Sequence, residues 1–336
     1  MSFRHNVDDH RIIELTENVH VFESFPTTAM IDIGDGVVAI DSPMSPTNST
    51  KWREHMRRFG PVRHLIYTEH HADHTVGGYY LQPESVIASE LTAAELGRGS
   101  AGTVDQVLNA FNTWARDPSH PSDRMPGNYE FLLPSITFSE RMTLKVGGQR
   151  LVLFLAPGHT RGQTIVHAPD ARVAFVADAA MPFQLIPVWH SGDPWDSLKS
   201  LALLEMLDVD WFVPGHGRPF KREVLHSIRT TILLFMDRVR ELRAAGWTPE
   251  RMLEEGGLFP PPAEIVDQPG LQPASDFFAT TPKAQVGIQR WMQIKTIRAA
   301  CDAIDRHPMT PQPDRLDLNP LWSGPQPARP ASPRHG

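Results

Sequence analysis

Apolar positions along this chain fall into two regimes. From Ile12 to about Val213 they come in short runs rich in Val and Ile, bounded by Gly, Pro, Asp and Asn, which is the pattern of strands and turns. Val19-His-Val-Phe22 and Met30-Ile-Asp-Ile33 precede a Gly34-Asp-Gly36 turn, and Val37-Val-Ala-Ile40 follows it, ending in the polar exit Asp41-Ser-Pro43. A helix is predicted from near Asn48 to Phe59, closed by Gly60-Pro61, and a buried strand over His64–Thr68. Residues 83–130 read as mostly helix and loop. Strands resume over 135–138, 142–146, 151–155, 164–166, 173–177 and 211–213, with a helix over about 194–207. Strands interleaved with helices point to sheet layers covered by helices.

Beyond Phe220 the period changes. Leu225, Ile228, Ile232, Phe235, Val239 and Leu242 step by three and four, an amphipathic helix ended by Gly246. Thr248-Pro249 starts a short helix, and a Pro-rich connection from Pro260 to Pro273 leads to a last one. That helix carries Trp291, Ile294, Ile297, Cys301 and Ile304 on one face. The two stripes are expected to pack on each other or on the main domain; a homodimer interface is the sharper alternative. From Pro308 the chain is Pro-rich and poor in apolar groups, so a disordered tail is expected. The expected organisation is a catalytic domain over 1–222, a helical extension over 223–306 and a tail over 307–336.

Composition narrows the function. The 336 residues are 40% hydrophobic and 21% charged, with a net charge of −7, which argues against nucleic-acid binding. No apolar run of about 18 residues is present, so no membrane span is expected. The first ten residues lack the apolar stretch of a secretory signal, and a cytoplasmic protein is expected. The single cysteine, Cys301, excludes an internal disulfide and a cysteine-based zinc cluster. Sixteen histidines, several beside Asp or Gly, leave room for a metal bound by nitrogen and oxygen.

Those histidines fall into motifs. Glu69-His-His-Ala-Asp-His74 follows an apolar strand; in extended chain Glu69, His71 and Asp73 would share one side, with His74 joining them if the strand turns. His70 would point away, into a wall or core position. Downstream, His159, Asp178 and His216 each sit just past an apolar run and beside small residues, as a preorganised site requires. His20, His55, His64, His167 and His226 read as ordinary surface or core histidines. Met181, Phe183, Trp189 and His190, in the loop after Asp178, are candidates to line a cleft. No G-x-S-x-G elbow, P-loop or dinucleotide fingerprint appears.

The order Asp41, Glu69-x-His71-x-Asp73-His74, Gly158-His-Thr160, Val176-Ala-Asp178 and Pro214-Gly-His-Gly217 resembles the metallo-β-lactamase superfamily over roughly residues 12–220. The resemblance implies an α/β fold, a four-layer αββα sandwich, here with a C-terminal helical extension. It implies that Glu69, His71 and His159 bind one metal and Asp73, His74 and His216 a second. Asp178 would bridge the two, and Asp41 would brace the ligand loops. Two zinc ions are expected, with Mn or Fe as alternatives. Glu69 stands where the superfamily usually has His; if it is a bystander, the first site is weak or empty.

The implied activity is a hydrolase in which a hydroxide bridging two metals attacks an ester, lactone, thioester or similar bond of a small molecule, with Asp73 orienting it and passing a proton. The rival readings are an iron-dependent oxygen-using enzyme on the same scaffold, favoured by the carboxylate at 69, and a β-lactamase. The β-lactamase is disfavoured by Asp at 178, where Cys or Ser would be expected, and by the absent signal. A metal-free binding protein is the remaining alternative.

Overall fold

Period-two alternation along the strands sets the layers of this protein. The computed structural model describes residues 11–99, 125–182, 186–259 and 282–307. The first sheet runs in chain order through β1 (Ile12–Thr16), β2 (Val19–Phe22), β3 (Thr28–Asp32), β4 (Val37–Ile40), β5 (Val62–Ile66), β6 (Ser85–Ser89) and β7 (Ile136–Phe138). It is antiparallel from β1 to β4 and parallel from β4 to β7. The second sheet has the order β12 (Trp211–Pro214), β11 (Val173–Ala177), β10 (Thr164–Ala168), β9 (Gln149–Leu155) and β8 (Arg141–Val146).

Val21, Ile31, Val38, Ile66 and Ile87 of the first sheet pack against Leu151, Leu153, Val166 and Phe175 of the second, and this is the central core. Alternate residues turn outward. Met30, Ala39 and Leu65 meet Trp52 and Met56 of α1 (Pro46–Met56) and Leu96 of α4 (Glu90–Gly97). Between those helices lie two single turns, α2 (Ala72–Thr75) and α3 (Gly78–Leu81). On the far side, Val152, Phe154, Ile165 and Val176 meet Leu198 and Leu201 of α5 (Pro194–Glu205). The order is therefore helix, sheet, sheet, helix, as the resemblance implies.

The remaining helices join that outer layer. In α6 (Arg222–Ala244) all six residues of the predicted stripe are buried, and Met252 of α7 (Pro249–Glu255) and Ile297, Cys301 and Ile304 of α8 (Pro282–Arg306) enter the same cluster. Trp291 departs from its stripe and is 51% exposed. Within 83–130, read as helix and loop, β6 is a strand: Val86 and Ala88 turn toward α1 and α4 while Ile87 turns inward, so a five-residue run buried on both faces lacks the polar alternation that signals a strand. The Pro-rich segments 260–273 and 308–336 lie outside the described residues.

His55 of α1 illustrates how the outer layer responds to acid. Its ring stacks on Trp52 at 5.4 Å and meets His20 and Phe59. Burial first, then the neighbouring His20 and Arg58, push its pKa from 6.5 to about 4. A histidine whose folded pKa is lowered stabilises the fold above pH 6.5, and that contribution is lost as pH falls toward 4. Melting temperature should therefore drop over this window, and His55→Phe should shallow the slope. Parallel pH profiles of the two proteins would refute the assignment.

Candidate metal centre

The functional side chains lie in the loops and the short turn that follow the carboxyl ends of β5, β9, β11 and β12. Three main-chain bonds lock their loops together: Thr164 N to Thr68 O (2.7 Å), Ser42 N to His74 O (3.0 Å) and Gly215 N to Ala177 O (2.8 Å). Two residues in these loops take the left-handed conformation that favours glycine, Asp41 (φ 55°) and Ala177 (φ 47°). Each aims the carboxylate at or next to it into the site, and strain of this kind persists where surrounding structure holds it.

Past β5 the chain does not remain extended to Asp73. His71 is the last extended residue, and the α2 turn begins at Ala72. Asp73 therefore reaches the site from a helical turn, and so does His74. The strand alternation expected for Asp73 does not hold, because a cluster facing two sheets cannot be filled from one straight strand. His70 is buried, with its ring against His71.

Glu69, His71, Asp73, His74, His159, Asp178 and His216 converge. His74 Nδ1 donates to Asp41 Oδ2 at 2.8 Å, which leaves Nε2 facing Glu69 Oε1 (3.5 Å), Asp178 Oδ1 (3.7 Å) and Asp73 Oδ2 (3.8 Å). Asp41 also accepts from Thr68 N at 2.8 Å and Thr68 Oγ1 at 2.6 Å, so it braces the strand end and the histidine together. His159 Nδ1 donates to Val188 O at 2.6 Å and turns Nε2 toward Asp178 Oδ2 (3.6 Å) and Glu69 Oε1 (3.8 Å). His216 Nε2 faces Asp73 Oδ2 (3.1 Å) and Asp178 Oδ2 (3.6 Å), and His71 Nδ1 faces Glu69 Oε2 (2.8 Å).

The ligating atoms of Asp73, His74 and His216 lie within 4.8 Å of one another, as do those of Glu69, His159 and Asp178. A third trio adds His190 to His71 and His159.

Electrostatics sharpen the picture. Burial would raise the carboxyl of Glu69, but His71, His159 and His74 outweigh it and hold its pKa near 2. Asp73 and Asp178 are likewise held below the ordinary range against burial, by His74 and His216. Burial lowers His74, His71 and His216, yet facing carboxylates lift all three above 6.5. His159 stays below, with burial dominant, and burial takes His190 down to about 3.

Both oxygens of Glu69, Asp178 Oδ1 and His74 Nε2 are buried, and they face one another and the neighbouring imidazoles in ion-pair contacts of 2.8–3.8 Å without a well-directed hydrogen bond. Leaving buried charges uncompensated costs several kcal/mol per ion. Divalent cations fit that donor set, since carboxylate and imidazole together suit Zn, Mn or Fe.

The loop after Asp178 contributes unevenly. His190 reaches the site, its N–H bonded to His159 O at 2.9 Å. Trp189 instead turns into the core, where Nε1 donates to Ser197 Oγ at 2.8 Å. Met181 is buried, and Phe183 lies outside the described residues. Sequence reasoning missed Lys295 of α8, whose Nζ lies 3.1 Å from His190 Nδ1. A separation of 105 residues leaves no local signal for that contact.

The sequence pattern of the metallo-beta-lactamase superfamily matches residues 23–216, more than half of the chain and all of the converging ligands. The chain belongs to the metallo-β-lactamase superfamily. Among curated superfamily relatives, the 2,4-dinitroanisole O-demethylase subunit alpha of Nocardioides sp. (strain JS1661) is 28% identical over 200 residues, covering 56% of this chain and 52% of that protein. The linear primary-alkylsulfatase of Pseudomonas sp. (strain ATCC 19151) is 23% identical over 263 residues, covering 69% and 50%. The chain thus spans about half the length of these relatives. The stereoselective inverting sec-alkylsulfatase of Pseudomonas sp. superposes with a TM-score of 0.64 at 18% identity, covering 95% of this chain and 52% of that one, which is a likeness of fold. Among the described residues no helix is long and apolar enough to cross a membrane.

Proposed function

We propose that this protein is a metal-dependent hydrolase of a small molecule, with Glu69, His71 and His159 holding one divalent ion, Asp73, His74 and His216 a second, and Asp178 shared between them. The observation that carries the reading is the convergence of buried carboxylate and imidazole atoms on Glu69, Asp178 and His74 that face one another without a well-directed hydrogen bond. Two zinc ions are the preferred complement. When bound, such ions supply Lewis acidity and lower the pKa of water from 15.7 toward about 7.

The chain's own groups supply the rest. Asp73 is assigned the proton transfer, taking a proton from attacking water and returning it to the leaving atom; its 23% exposure and its contact with His216 at 3.1 Å support that role. The braced Nδ1 atoms of His74 and His159 fix their rings in one tautomer and orientation. The bond attacked is an ester, lactone or thioester; the relatives' names add sulfate esters and aryl methyl ethers to the candidates. Glu69 favours a second reading, since an added carboxylate suits iron and with it an oxygen-using enzyme.

Metal quantification on native protein, followed by a panel of lactone, ester, thioester, sulfate-ester and β-lactam substrates, tests both readings. About two equivalents of zinc and chelator-sensitive turnover are the expected result. Undiminished turnover in chelator would remove the hydrolase reading, and iron as the native metal would favour the second.

A further inference from the structure

Helix α8 brings a cation and an aromatic ring to the edge of the ligand cluster. Lys295 Nζ lies 3.1 Å from His190 Nδ1 and 5.0 Å from the centre of the Trp291 ring. The Trp291 ring in turn packs 5.7 Å from that of His190. His190 closes a triangle of rings with His71 at 4.7 Å and His159 at 4.8 Å. It is therefore in contact with the site on one side and with the helical extension on the other.

Polarity distinguishes His190 from the other histidines. His74 and His159 each have an oxygen acceptor at Nδ1, which keeps the proton there and frees Nε2 for a metal. An ammonium group has three donors and no acceptor. Lys295 must therefore donate, His190 Nδ1 must accept, and the ring's proton resides on Nε2. So held, His190 is a donor and not a ligand. Among the described residues no carboxylate pairs with Lys295, so its charge is not spent within the fold. With two divalent ions bound the charges of Glu69, Asp73 and Asp178 would be offset, and Lys295 would add a further cation beside the centre.

We propose that Lys295 and His190 form an anion-receiving pair beside the metal centre, and that the substrate carries an anionic group close to the bond cleaved. The proposal rests on the hydrolase reading above and names its substrate class. A carboxylate, sulfate or phosphate oxygen would accept from Lys295 Nζ and from the His190 ring, while the exposed face of Trp291 covers the substrate's apolar part.

Two esters with the same leaving group test this on the full zinc-loaded chain: neutral 4-nitrophenyl acetate and anionic 4-nitrophenyl hemisuccinate. The native protein should prefer the anionic ester. Lys295→Met should lower the ratio of the two kcat/KM values about tenfold, through KM, as expected for a part-buried charge pair. Lys295→Arg should keep most of the preference. Equal losses on both esters would show that Lys295 only packs α8, and an unchanged ratio would overturn the proposal as well.

Titration with inorganic sulfate, read by tryptophan fluorescence, gives a check that does not need turnover. A saturable response weakened in Lys295→Met supports the pair, even if the native chain cleaves neither ester and the hydrolase reading is lost. No saturable response in the native chain overturns the pair.

Discussion

An Asp178→Ala variant should lose turnover by about a hundredfold or more, since partners that merely orient ligands already cost about 10–100-fold. It should also lose the thermal stabilisation that added zinc gives the native chain. Asp178 faces both halves of the cluster: Oδ2 stands 3.6 Å from His159 Nε2 and 3.6 Å from His216 Nε2, and Oδ1 stands 3.7 Å from His74 Nε2. Removing it separates the trios and leaves three imidazoles facing a void.

A ligand that binds only the folded state stabilises it by about 2.7 kcal/mol at a hundred times Kd. The native chain should therefore melt at a clearly higher temperature with zinc than without, whereas Asp178→Ala should not respond. Asp178→Asn, which keeps the shape, separates lost charge from lost packing. A zinc-dependent rise in melting temperature equal to the native one in either variant would defeat the shared-ligand assignment.

How far the sequence speaks to this site depends on the range of the interactions. Each ligand follows an apolar run and sits among small residues, and that local signature sufficed to list Glu69, His71, Asp73, His74, His159, Asp178 and His216, all of which the fold brings together. The bracing role of Asp41 was legible through family order and is visible in its three hydrogen bonds. The helical stripe of α6 was legible because burial on one face imposes its own period.

Three features were not legible, for physical reasons. The turn at His71 is held by hydrogen bonds, Thr75 Oγ1 to His71 O at 2.9 Å and Ser42 N to His74 O at 3.0 Å, and nothing between Glu69 and Asp73 breaks a strand. Trp189 and His190 are adjacent in the chain, yet one enters the core, where it packs on Phe235 and donates to Ser197, and the other enters the site, tied to His159 O; these partners are distant in sequence. Lys295 and Trp291 lie on a helix whose apolar stripe predicted burial. The first two turns of that stripe instead run past the cluster's edge, so Trp291 stays half open.

Gly215→Ala should cost almost as much as losing a ligand, although it removes no functional group. Gly215 is held from both sides, its N–H bonded to Ala177 O at 2.8 Å and its carbonyl accepting from Thr27 N at 2.6 Å. A Cβ there would overlap Asp178 Oδ1 and come within 2.8 Å of His74 Cε1 and 3.1 Å of Ala177 C. None of these can yield freely: Asp178 follows a left-handed residue, and His74 is pinned through Nδ1 to Asp41. The added methyl must therefore displace the shared carboxylate, the histidine or the β12 exit loop.

Overpacking of this kind costs about 1–3 kcal/mol in stability, and displaced ligands should weaken zinc binding about 10–100-fold. Gly97→Ala is the matched control. Gly97 ends α4, and a Cβ there meets nothing within 4 Å, so stability should hold or rise slightly. Zinc affinity and melting temperature measured for both variants decide the matter. If Gly215→Ala binds zinc as tightly as Gly97→Ala does, the site tolerates a methyl against its shared carboxylate, and its preorganisation cannot come from the packing described above.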